Sequence, residues 1–559
     1  MILRILKVQL LRGNQNLNFM RKYNICVKTA IAVFAVVLSA CSSDNDVVEN
    51  DIVNPESPVS NNDIMTFSAS MDAGNVTRTD FNSNSTIWAK GDQIRILNLA
   101  TITAPDQSGY PTNGYFTLDT HTGGYTKEET FTGTKIQSNG DGTDRFYAYY
   151  PHSTKAAIAT LTNGKQCIMQ KGEVPTVQTA MNGTYDQSLH FMTAFSNNST
   201  FTFKNVCALL KITLTNSNIS RIKVIANPKF KNNSVYNKEF VYTNIAGTFD
   251  ASIMYSDGTT SMKATDTNNK TYVELRAAGD GGSANTVIGD GTYYMVVLPV
   301  AISNGFTLTL ETSDGNTIYQ RVNTKTTAFV RNKMYDLGTY DCSSTPTGMT
   351  ALTDVVDLDL PSGTLWATKN INKDGSLVSS IYTVGDYFSW GKDDFRGILG
   401  YGSMPDRTNN TLNSQYDKAY THDSRYCMPV YAQIYEFYNH FPDANKKSYS
   451  GDDITNKGAE FTAKTGTGRT IWLPYGGHYY LGIFGISGEG SQGDYWSRTY
   501  YGRNSGNDIA YCLDLIHSNN IPILNSHSGW DFAAEWVDDV VTARPIRPVV
   551  TNTSIAPIY

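Results

Sequence analysis

Apolar and polar residues alternate along much of the chain after residue 64, which is the pattern of a strand with one buried face. The first such stretch is eight residues long, and its apolar positions are Met65, Phe67, Ala69 and Met71. The pattern returns at Leu210/Ile212/Leu214, Ile222/Val224/Ala226 and Phe306/Leu308/Leu310. Because turns rich in Asn, Gly and Ser separate these strands, the pattern predicts a mainly β protein built from antiparallel β-sandwiches.

A helical period occurs in the C-terminal third of the chain. Pro429 precedes the segment and Pro442 follows it, as expected at helix ends. The apolar stripe consists of Val430, Ile434, Phe437, Tyr438 and Phe441. We therefore predict a helix over 430–441 that packs by this stripe against strands.

Near the N-terminus, an apolar run from Thr29 to Val37 follows Arg21, Lys22 and Lys28. A basic start, a short apolar run and small residues before a cleavage point predict a secretory signal that is too short to span a bilayer. The run ends in Leu38-Ser39-Ala40-Cys41, which resembles the lipobox of bacterial lipoproteins. The resemblance implies acyl chains on Cys41 and an anchor in the outer membrane; the alternative is a plain signal peptide with an incidental cysteine.

Composition narrows the classes of partner. Charged residues make up only 17% of the 559, so Thr, Ser and Asn supply much of the polar character, in line with strands and turns. The net charge of −6 gives no basic surface, and we expect no nucleic-acid partner. The cysteines that remain in the body of the protein are too scattered to indicate a disulfide scaffold or a zinc site, and their pairing stays open: Cys167, Cys207, Cys342, Cys427 and Cys512.

Six motifs, in the same order, resemble those of the fimbrillin (Mfa-like, type V pilin) family of the Bacteroidales. Each is weak alone, and their shared order makes the resemblance specific. They are Met65–Ile94 (with Thr77-Arg78-Thr79 and Trp88-Ala89-Lys90-Gly91-Asp92), Phe146–Pro151, Leu189–Met192, Cys207–Ile212, Tyr293–Pro299 and Asn332–Leu337. The resemblance implies two transthyretin-like β-sandwiches, which we place at 64–185 and 186–341.

The fimbrillin resemblance also implies a mechanism of maturation. Family members are made as lipoproteins, cut after an Arg beyond the first strand, and then lose that strand. Here the removable strand is Met65–Met71, with Met65, Phe67, Ala69 and Met71 facing inward, and the cut falls between Arg78 and Thr79. The groove left behind accepts a strand from another pilin subunit. The alternative is that Arg78 is an ordinary loop residue.

The segment 351–550 differs in composition from the rest of the chain, because it contains six of the seven Trp residues. Its motifs resemble the Fibrobacter major paralogous domain family of the C-type-lectin-like superfamily: Val356–Asn370, Gly385–Gly391, Arg425–Pro429, Trp472–Pro474, Gly493–Ser497 and Ala543–Val549. The resemblance implies an α+β domain. We expect Trp366, Trp390 and Trp496 to be core residues rather than ligand contacts.

Several motifs suggest chemistry that we discount. Gly488–Gly493 matches a dinucleotide-binding fingerprint, but no βαβ unit surrounds it. Asn139–Asp144 lacks the later Glu of a calcium loop. The lectin-like segment also lacks the Glu-Pro-Asn and Trp-Asn-Asp motifs of calcium-dependent lectins. We expect no enzyme activity, no metal and no cofactor.

A candidate binding surface lies between residues 499 and 536, where aromatic residues mix with Asn, Ser and Gly. Rigid rings with short amides are typical of antibody-type binding surfaces, and rings also stack on sugars. The candidate ligand contacts are Tyr500, Tyr501, Arg503, Asn504, Asn519, Asn520, His527, Trp530, Asp531 and Trp536. The ligand is a glycan or a protein, and solvated loops are the alternative.

The predicted organisation is a signal peptide (1–40), a tether (41–63), two sandwiches (64–185 and 186–341), a linker (342–350), the lectin-like domain (351–550) and a tail (551–559). The tail is short, follows Pro548 and contains Pro557, so we expect it not to donate a strand. The sequence thus favours a pilus tip adhesin that accepts a strand and is displayed in the pilus after maturation. The alternative is an uncut, lipid-anchored surface protein, either a pilus anchor or a stand-alone receptor.

Overall fold

The computed structural model of the protein describes residues 50–51, 64–72, 88, 90–104, 109–119, 128–152, 156–161, 163–230, 239–277, 279, 285–393, 404–408, 410–451, 455–464, 467–479, 485–504, 507–518, 521–524, 536–539 and 542–552. The predicted signal peptide with Cys41, and the predicted cut between Arg78 and Thr79, lie outside these residues. The described chain is mainly β, which confirms the predicted class.

The first region of the chain forms a closed, seven-stranded barrel. The strands of this region, seven of which form the barrel, are β1 (Asn50–Asp51), β2 (Ile64–Met71), β3 (Gln93–Asn98), β4 (Asn113–Thr117), β5 (Glu128–Thr134), β6 (Phe146–Tyr150), β7 (Ala156–Thr160), β8 (Gln166–Val174), β9 (Val177–Thr179), β10 (Met192–Ser196) and β11 (Thr200–Asn205). The order around the barrel is β10-β11-β2-β5-β4-β3-β6, and β6 closes it by pairing with β10. Barrel closure leaves none of these seven strands with a fully unpaired edge.

The second region is a two-sheet sandwich. Its strands are β12 (Ala208–Thr215), β13 (Ile219–Ala226), β14 (Lys229–Phe230), β15 (Phe240–Val241), β16 (Gly247–Met254), β17 (Thr260–Ala264), β18 (Tyr272–Arg276), β19 (Gly291–Val297), β20 (Ala301–Ile302), β21 (Phe306–Thr312), β22 (Thr317–Asn323), β23 (Thr327–Ala328) and β24 (Met334–Asp341). One sheet has the order β19-β12-β24, and the other contains β22-β21-β13-β18-β9. The predicted inward positions, such as Leu210, Ile212, Val224 and Leu310, meet in one core.

The described residues of the third region form short strands, one long hairpin and two helices. Its strands are β25 (Thr350–Thr353), β26 (Val355–Asp357), β27 (Leu365–Ala367), β28 (Phe388–Ser389), β29 (Arg407–Thr408), β30 (Thr411–Leu412), β31 (Tyr426–Cys427), β32 (Lys446–Tyr449), β33 (Gly458–Thr462), β34 (Thr470–Pro474), β35 (His478–Tyr479), β36 (Ile486–Ser487), β37 (Gln492–Asn504), β38 (Asn507–Ser518), β39 (Ile521–Leu524), β40 (Trp536–Asp539), β41 (Ala543–Arg544) and β42 (Val549–Val550). The helices are α1 (Lys418–His422) and α2 (Tyr431–His440). In this region 3-10 turns occur at Ser414–Tyr416 and Asp443–Asn445, and a further one in the first region spans Gln187–Leu189.

Shared sheets join the three regions. The hairpin β16–β17 of the second region extends the sheet β1-β7-β8, and β9 of the first region pairs with β18. Asn50 and Asp51, within the predicted tether, pair with Ile158 and Ala157. In the third region, β25 pairs with β22, and Leu352 of β25 is fully buried in the third region's core. Backbone pairing therefore crosses both of the predicted domain boundaries.

Helix α2 and the Trp residues confirm two predictions about the third region. The helix covers 431–440, Val430 stands at its N-terminal end, and the Val430 N–H donates to Gln433 Oε1 at 2.9 Å. Ile434 and Phe437 of the predicted stripe are buried in one core. The side chains of Trp366, Trp390 and Trp496 are also buried, so they serve packing.

The five cysteines of the body are all buried and free. Burial raises the pKa of the Cys207 thiol to about 12 and that of Cys427 to about 11, so both remain neutral thiols at physiological pH. These cysteines act as small apolar core residues.

Candidate functional site

Strand β2, the predicted removable strand, lies between β5 and β11 in the wall of the barrel. It pairs antiparallel with β5, from Ile64 opposite Thr134 to Ser70 opposite Glu128. On its other edge it runs parallel to β11, with Met71 opposite Phe203. The Asp72 N–H donates to Phe203 O at 2.7 Å. Both backbone edges of β2 are therefore satisfied by distant parts of the chain.

The inward face of β2 packs into an aromatic cluster. Phe67 and Ala69 are fully buried, and Met65 and Met71 pack at the margin. The Phe67 ring lies 4.9 Å from Phe116 and 5.1 Å from Phe146, both edge-to-face, and 5.4 Å from Phe201. The aromatic cluster around β2 consists of Trp88, Phe116, Phe131, Phe146, Phe201 and Phe203. Truncating a buried Phe in such a site costs about 3–5 kcal/mol.

Trp88 holds the backbone of β2 as well as its side chains. Its Nε1–H donates to Ala69 O at 3.1 Å, and its ring packs edge-to-face on Phe131 and Phe203. The tryptophan belongs to the motif that follows β2 in the sequence, but its aromatic neighbours come from β5, β6 and β11. The motif marks Trp88 as a residue of interest in the sequence, but no local pattern predicts its hydrogen bond to Ala69.

The outward face of β2 is polar. Ser68 Oγ donates to a carboxylate oxygen of Glu128, and Asp72 forms an ion pair with Lys204 at 3.4 Å. Ile64, at the start of the strand, has 67% of its surface exposed. The burial of β2 therefore comes mainly from Phe67, Ala69 and their apolar neighbours, and a strand that replaced β2 would need apolar residues at these alternate positions.

The arrangement defines what removal of β2 would create. The N–H and C=O groups of β5 and β11 that now face β2 would lose their partners, and the aromatic cluster would face water. Unpaired backbone edges above an apolar trough form a template for strand addition. A strand from another chain would restore both the hydrogen bonds and the burial.

The candidate ligand contacts lie in several places. Asn519, Asn520, His527, Trp530 and Asp531 lie outside the described residues. Arg503 and Asn504 end β37, and Trp536 lies on β40, where it pairs with Cys512 of β38. Tyr501 is half-buried, with its ring 5.4 Å from Tyr511. The backbone thus brings Tyr501, Arg503, Asn504 and Trp536 to one sheet.

Tyr500 requires a correction. Only 6% of its surface is exposed. The centroid of its ring lies 5.9 Å from that of Trp390, and the Arg407 guanidinium lies 4.0 Å from the centroid of the Tyr500 ring. Its hydroxyl donates to Asp508. Because Tyr500 is buried, its ring offers no stacking surface to a ligand, and it acts as a core residue.

The loop Asn139–Asp144 has a structural explanation. Asp144 accepts hydrogen bonds from Asn98 Nδ2 at 2.7 Å, Ser138 Oγ at 2.7 Å and the Asn139 N–H at 2.8 Å. Although burial acts in the opposite direction, these bonds hold the pKa of Asp144 below its ordinary value. The Asp144 carboxylate therefore stabilises the loop in which it lies.

The Gly488–Gly493 loop leads directly into strand β37 rather than into a helix. The geometry that places a pyrophosphate on a helix N-terminus is therefore not formed there. In the described chain, no group of three or more His, Cys, Asp or Glu side chains is placed to hold a metal ion. No described helix has the length and apolar character needed to cross a membrane.

Sequence reasoning missed a buried charged cluster between the second and third regions. Arg221 on β13 pairs with Glu274 at 2.6 Å, Glu311 at 3.3 Å and Asp357 at 3.2 Å, and also with Asp359. Lys223 pairs with Asp357 at 3.0 Å and with Asp359 at 2.8 Å. The signal was available in part, because Arg221 and Lys223 alternate with Ile222 and Val224 on one strand. That pattern predicted a solvated face, whereas both faces of β13 are buried.

Comparisons with known proteins give similarities to solved structures alone. No family model matches the chain, and no curated protein matches it. A solved protein from Bacteroides uniformis, assigned to cell adhesion, is 17% identical; the match covers 51% of this chain and 96% of that one, with a TM-score of 0.28. The tip fimbrial protein Mfa3 from Porphyromonas gingivalis, with C-terminal truncation, is 11% identical over 52% of this chain and 97% of its own, with a TM-score of 0.23. The major pilin T-13 from Streptococcus pyogenes is 11% identical over 53% of this chain and 99% of its own, with a TM-score of 0.15.

Proposed function

We propose that this protein is a strand-accepting pilus subunit that ends the fibre and presents its C-terminal region as an adhesin. The observation that carries the proposal is the position of β2. This strand is interior, and Phe67 and Ala69 fill a cluster of aromatic side chains contributed by other strands. Its loss leaves a groove that a strand of another subunit fills with the same hydrogen bonds and the same burial.

A single cut is sufficient to free β2. The strand ends at Met71, and the next described core residue is Trp88, which belongs to the body of the barrel. Cleavage between Arg78 and Thr79 falls between them, so the N-terminal piece is then held by non-covalent contacts alone. Polar loop segments are preferred sites of proteolysis.

The pairing of the later strands favours a subunit that accepts but does not donate. After β24, strand β25 pairs with β22 and leads into the core of the third region through Leu352. At the other end of that region, β42 lies between β27 and β31. Among the described residues, every strand that follows β24 is paired within this chain. Donating one of them would unfold the region that carries it.

The remaining parts of the proposal follow from the sequence. Acylation of Cys41 anchors the precursor in the outer membrane, and cleavage after Arg78 releases the mature subunit into the pilus. The third region has a lectin-like fold and binds a glycan or protein ligand. No catalytic role is proposed for it. The alternative is a chain that stays uncut and lipid-anchored, as a pilus anchor or a stand-alone receptor.

The N-terminal residue of the mature chain recovered from the cell surface tests the proposal. We expect Thr79, and we expect Arg78→Ala to block the cut and keep the chain out of fibres. Lys90→Ala, at an exposed position beyond the cut, is the matched control and should be processed normally. Recovery of acylated Cys41 from wild-type cells would overturn the tip role in favour of the uncut lipoprotein, as would assembly of the Arg78→Ala chain at fibre ends.

A further inference from the structure

A cleft of about 530 Å³ lies between the second region and helix α2. Its volume falls in the range of pockets that hold small ligands. One side is formed by the segment before and into β18, with Asn268, Asn269 and Lys270, and the other by α2 with Tyr435. Lys464, which follows β33, completes the cleft. The cleft is distant in sequence from the candidate contacts at 499–536.

The cleft presents polar groups and an open ring. Asn268 and Asn269 are exposed, and within the described chain their side-chain amides have no hydrogen-bond partner. Tyr435 has 38% of its surface exposed. An accessible ring beside free amides suits a ligand that has an apolar face and many hydroxyl groups, which describes a sugar ring.

The unpaired charge of the cleft is positive. Its carboxylates are already occupied: Asp359 pairs with Arg221 and Lys223, and Glu436 accepts hydrogen bonds from Ser362 and Tyr242. Lys270 and Lys464, in contrast, form no ion pair with any described residue.

The pKa shifts agree with an excess of positive charge. Burial lowers the pKa of His440 in the same cleft to about 4, so its ring is neutral at pH 7. Burial and the nearby Lys446 also lower the pKa of Lys464. Burial is the main cause of both shifts. The neighbouring cations Lys464 and Lys446 act in the same direction, whereas Asp359 and Asp357 act against the shift of His440.

We propose that this cleft binds an acidic saccharide, with the sugar ring on Tyr435, its hydroxyl groups on Asn268 and Asn269, and its anionic group between Lys270 and Lys464. The inference rests on the adhesin part of the proposed function and is independent of strand exchange. It assigns ligand recognition to the junction of two regions, so both regions are needed for binding.

Binding of small saccharides to the full chain tests the proposal. The probes are 3′-sialyllactose, which carries a carboxylate, lactose 3′-sulfate, which carries a sulfate, and neutral lactose. We expect at least one acidic probe to bind about tenfold more tightly than lactose, and the stronger of the two identifies the anionic group. Charge reversal by Lys464→Glu or Lys270→Glu should weaken that binding by about tenfold. The Tyr435→Ala variant should weaken binding of all bound probes.

The matched control is Lys263→Glu, which makes the same charge change on the exposed strand β17 and should leave binding within about twofold. Thermal unfolding checks that each variant folds, and Lys270→Glu decides the outcome if Lys464→Glu does not fold. The proposal is overturned if the acidic probes bind no better than lactose, if Lys263→Glu weakens binding equally, or if an oligoglutamate peptide displaces the acidic probe at equal concentration. Processing at Arg78 reports separately on strand exchange, so the two failures are distinguishable.

Discussion

At the scale of single residues, burial determines the chemistry of Glu436 on helix α2. The carboxylate accepts hydrogen bonds from the Ser362 N–H at 2.7 Å and from Tyr242 Oη at 2.8 Å, and a further one from Ser362 Oγ. Burial nevertheless dominates and raises the pKa of Glu436 from its ordinary value of 4.5 to about 7. Because Tyr242 belongs to the second region, this carboxyl links two regions through a proton-dependent contact.

The pH dependence of stability should therefore change in Glu436→Gln. A folded-state pKa of about 7 above an ordinary value of 4.5 means that the stabilisation by Glu436 is fully present below pH 4.5 and is lost as the pH rises through 7. The effect is on the order of 3 kcal/mol. We expect the melting temperature of wild type, measured by calorimetry relative to that of Glu436→Gln, to be higher at pH 5 than at pH 8.

Glu460→Gln is the control for this prediction, because Glu460 sits near the surface of β33 with Lys447 3.7 Å away. Its offset from wild type should be small at both pH values. An offset of Glu436→Gln that is the same at pH 5 and pH 8 would show that Glu436 keeps one protonation state over this range.

At the same scale, the sequence predicts the burial of Phe67 correctly but wrongly places Tyr500 on an exposed binding surface. The burial of Phe67 follows from period two within its own strand, which is a local pattern. The burial of Tyr500 depends on Trp390 and Arg407, which are distant in sequence, so its neighbours Tyr501 and Arg503 give no sign of it. Mixed aromatic and polar stretches predict surface loops only when no distant partner covers the rings.

At the scale of elements, β2 is paired on both edges and buried on one face, so we predict that the barrel can bind it without a covalent link. A chain beginning at Thr79 should show fast amide exchange in β5 and β11, and a peptide with the sequence of Ile64–Asp72 should restore protection. A peptide with Phe67→Asp should bind about a hundredfold more weakly, because it loses about 3 kcal/mol of aromatic burial. Hydrogen–deuterium exchange read by mass spectrometry measures both effects.

The matched peptide for this experiment carries Ile64→Asp, at the exposed end of the same strand. It should protect β5 and β11 as well as the native peptide does. If β5 and β11 are equally protected in the chain that begins at Thr79 without any peptide, the barrel closes on its own, and the loss of β2 does not create an acceptor groove.

Elements also differ in how much of them the sequence predicts. The bounds of α2 and the inward face of β12 follow from local periodicity, with Leu210, Ile212 and Leu214 all buried. For β13, local pattern predicts one buried face, but the third region covers the other face through Asp357 and Asp359. Whether a strand is buried on one face or on both depends on how the regions dock, and the sequence of a single strand carries no information about docking.

At the scale of the whole molecule, the regions are joined by backbone pairing and by buried charge. Strand β25 extends the second region's sheet, and the cluster around Arg221 connects β13 to Asp357 at the end of β26 and to Asp359 after it. Arg469 of the third region also reaches Glu311 on β21, at 2.5 Å. Buried polar networks rigidify the parts that they join, so we expect this joint to limit rotation of the third region against the sandwich.

Removal of the central cation should uncouple the two regions. Arg221→Met removes the cation that all four buried carboxylates share and leaves them with Lys223, Arg276 and Arg469, which we expect to cost about 3–5 kcal/mol. We expect calorimetry to show one shared transition of the second and third regions in wild type, and two separate transitions in the variant.

Lys211→Met is the control, because Lys211 pairs with the exposed Asp336 at 3.0 Å and the substitution should cost less than about 1 kcal/mol. If Arg221→Met melts in a single transition at the wild-type temperature, backbone pairing through β25 is sufficient for the coupling, and the charged cluster contributes little to the rigidity of the joint.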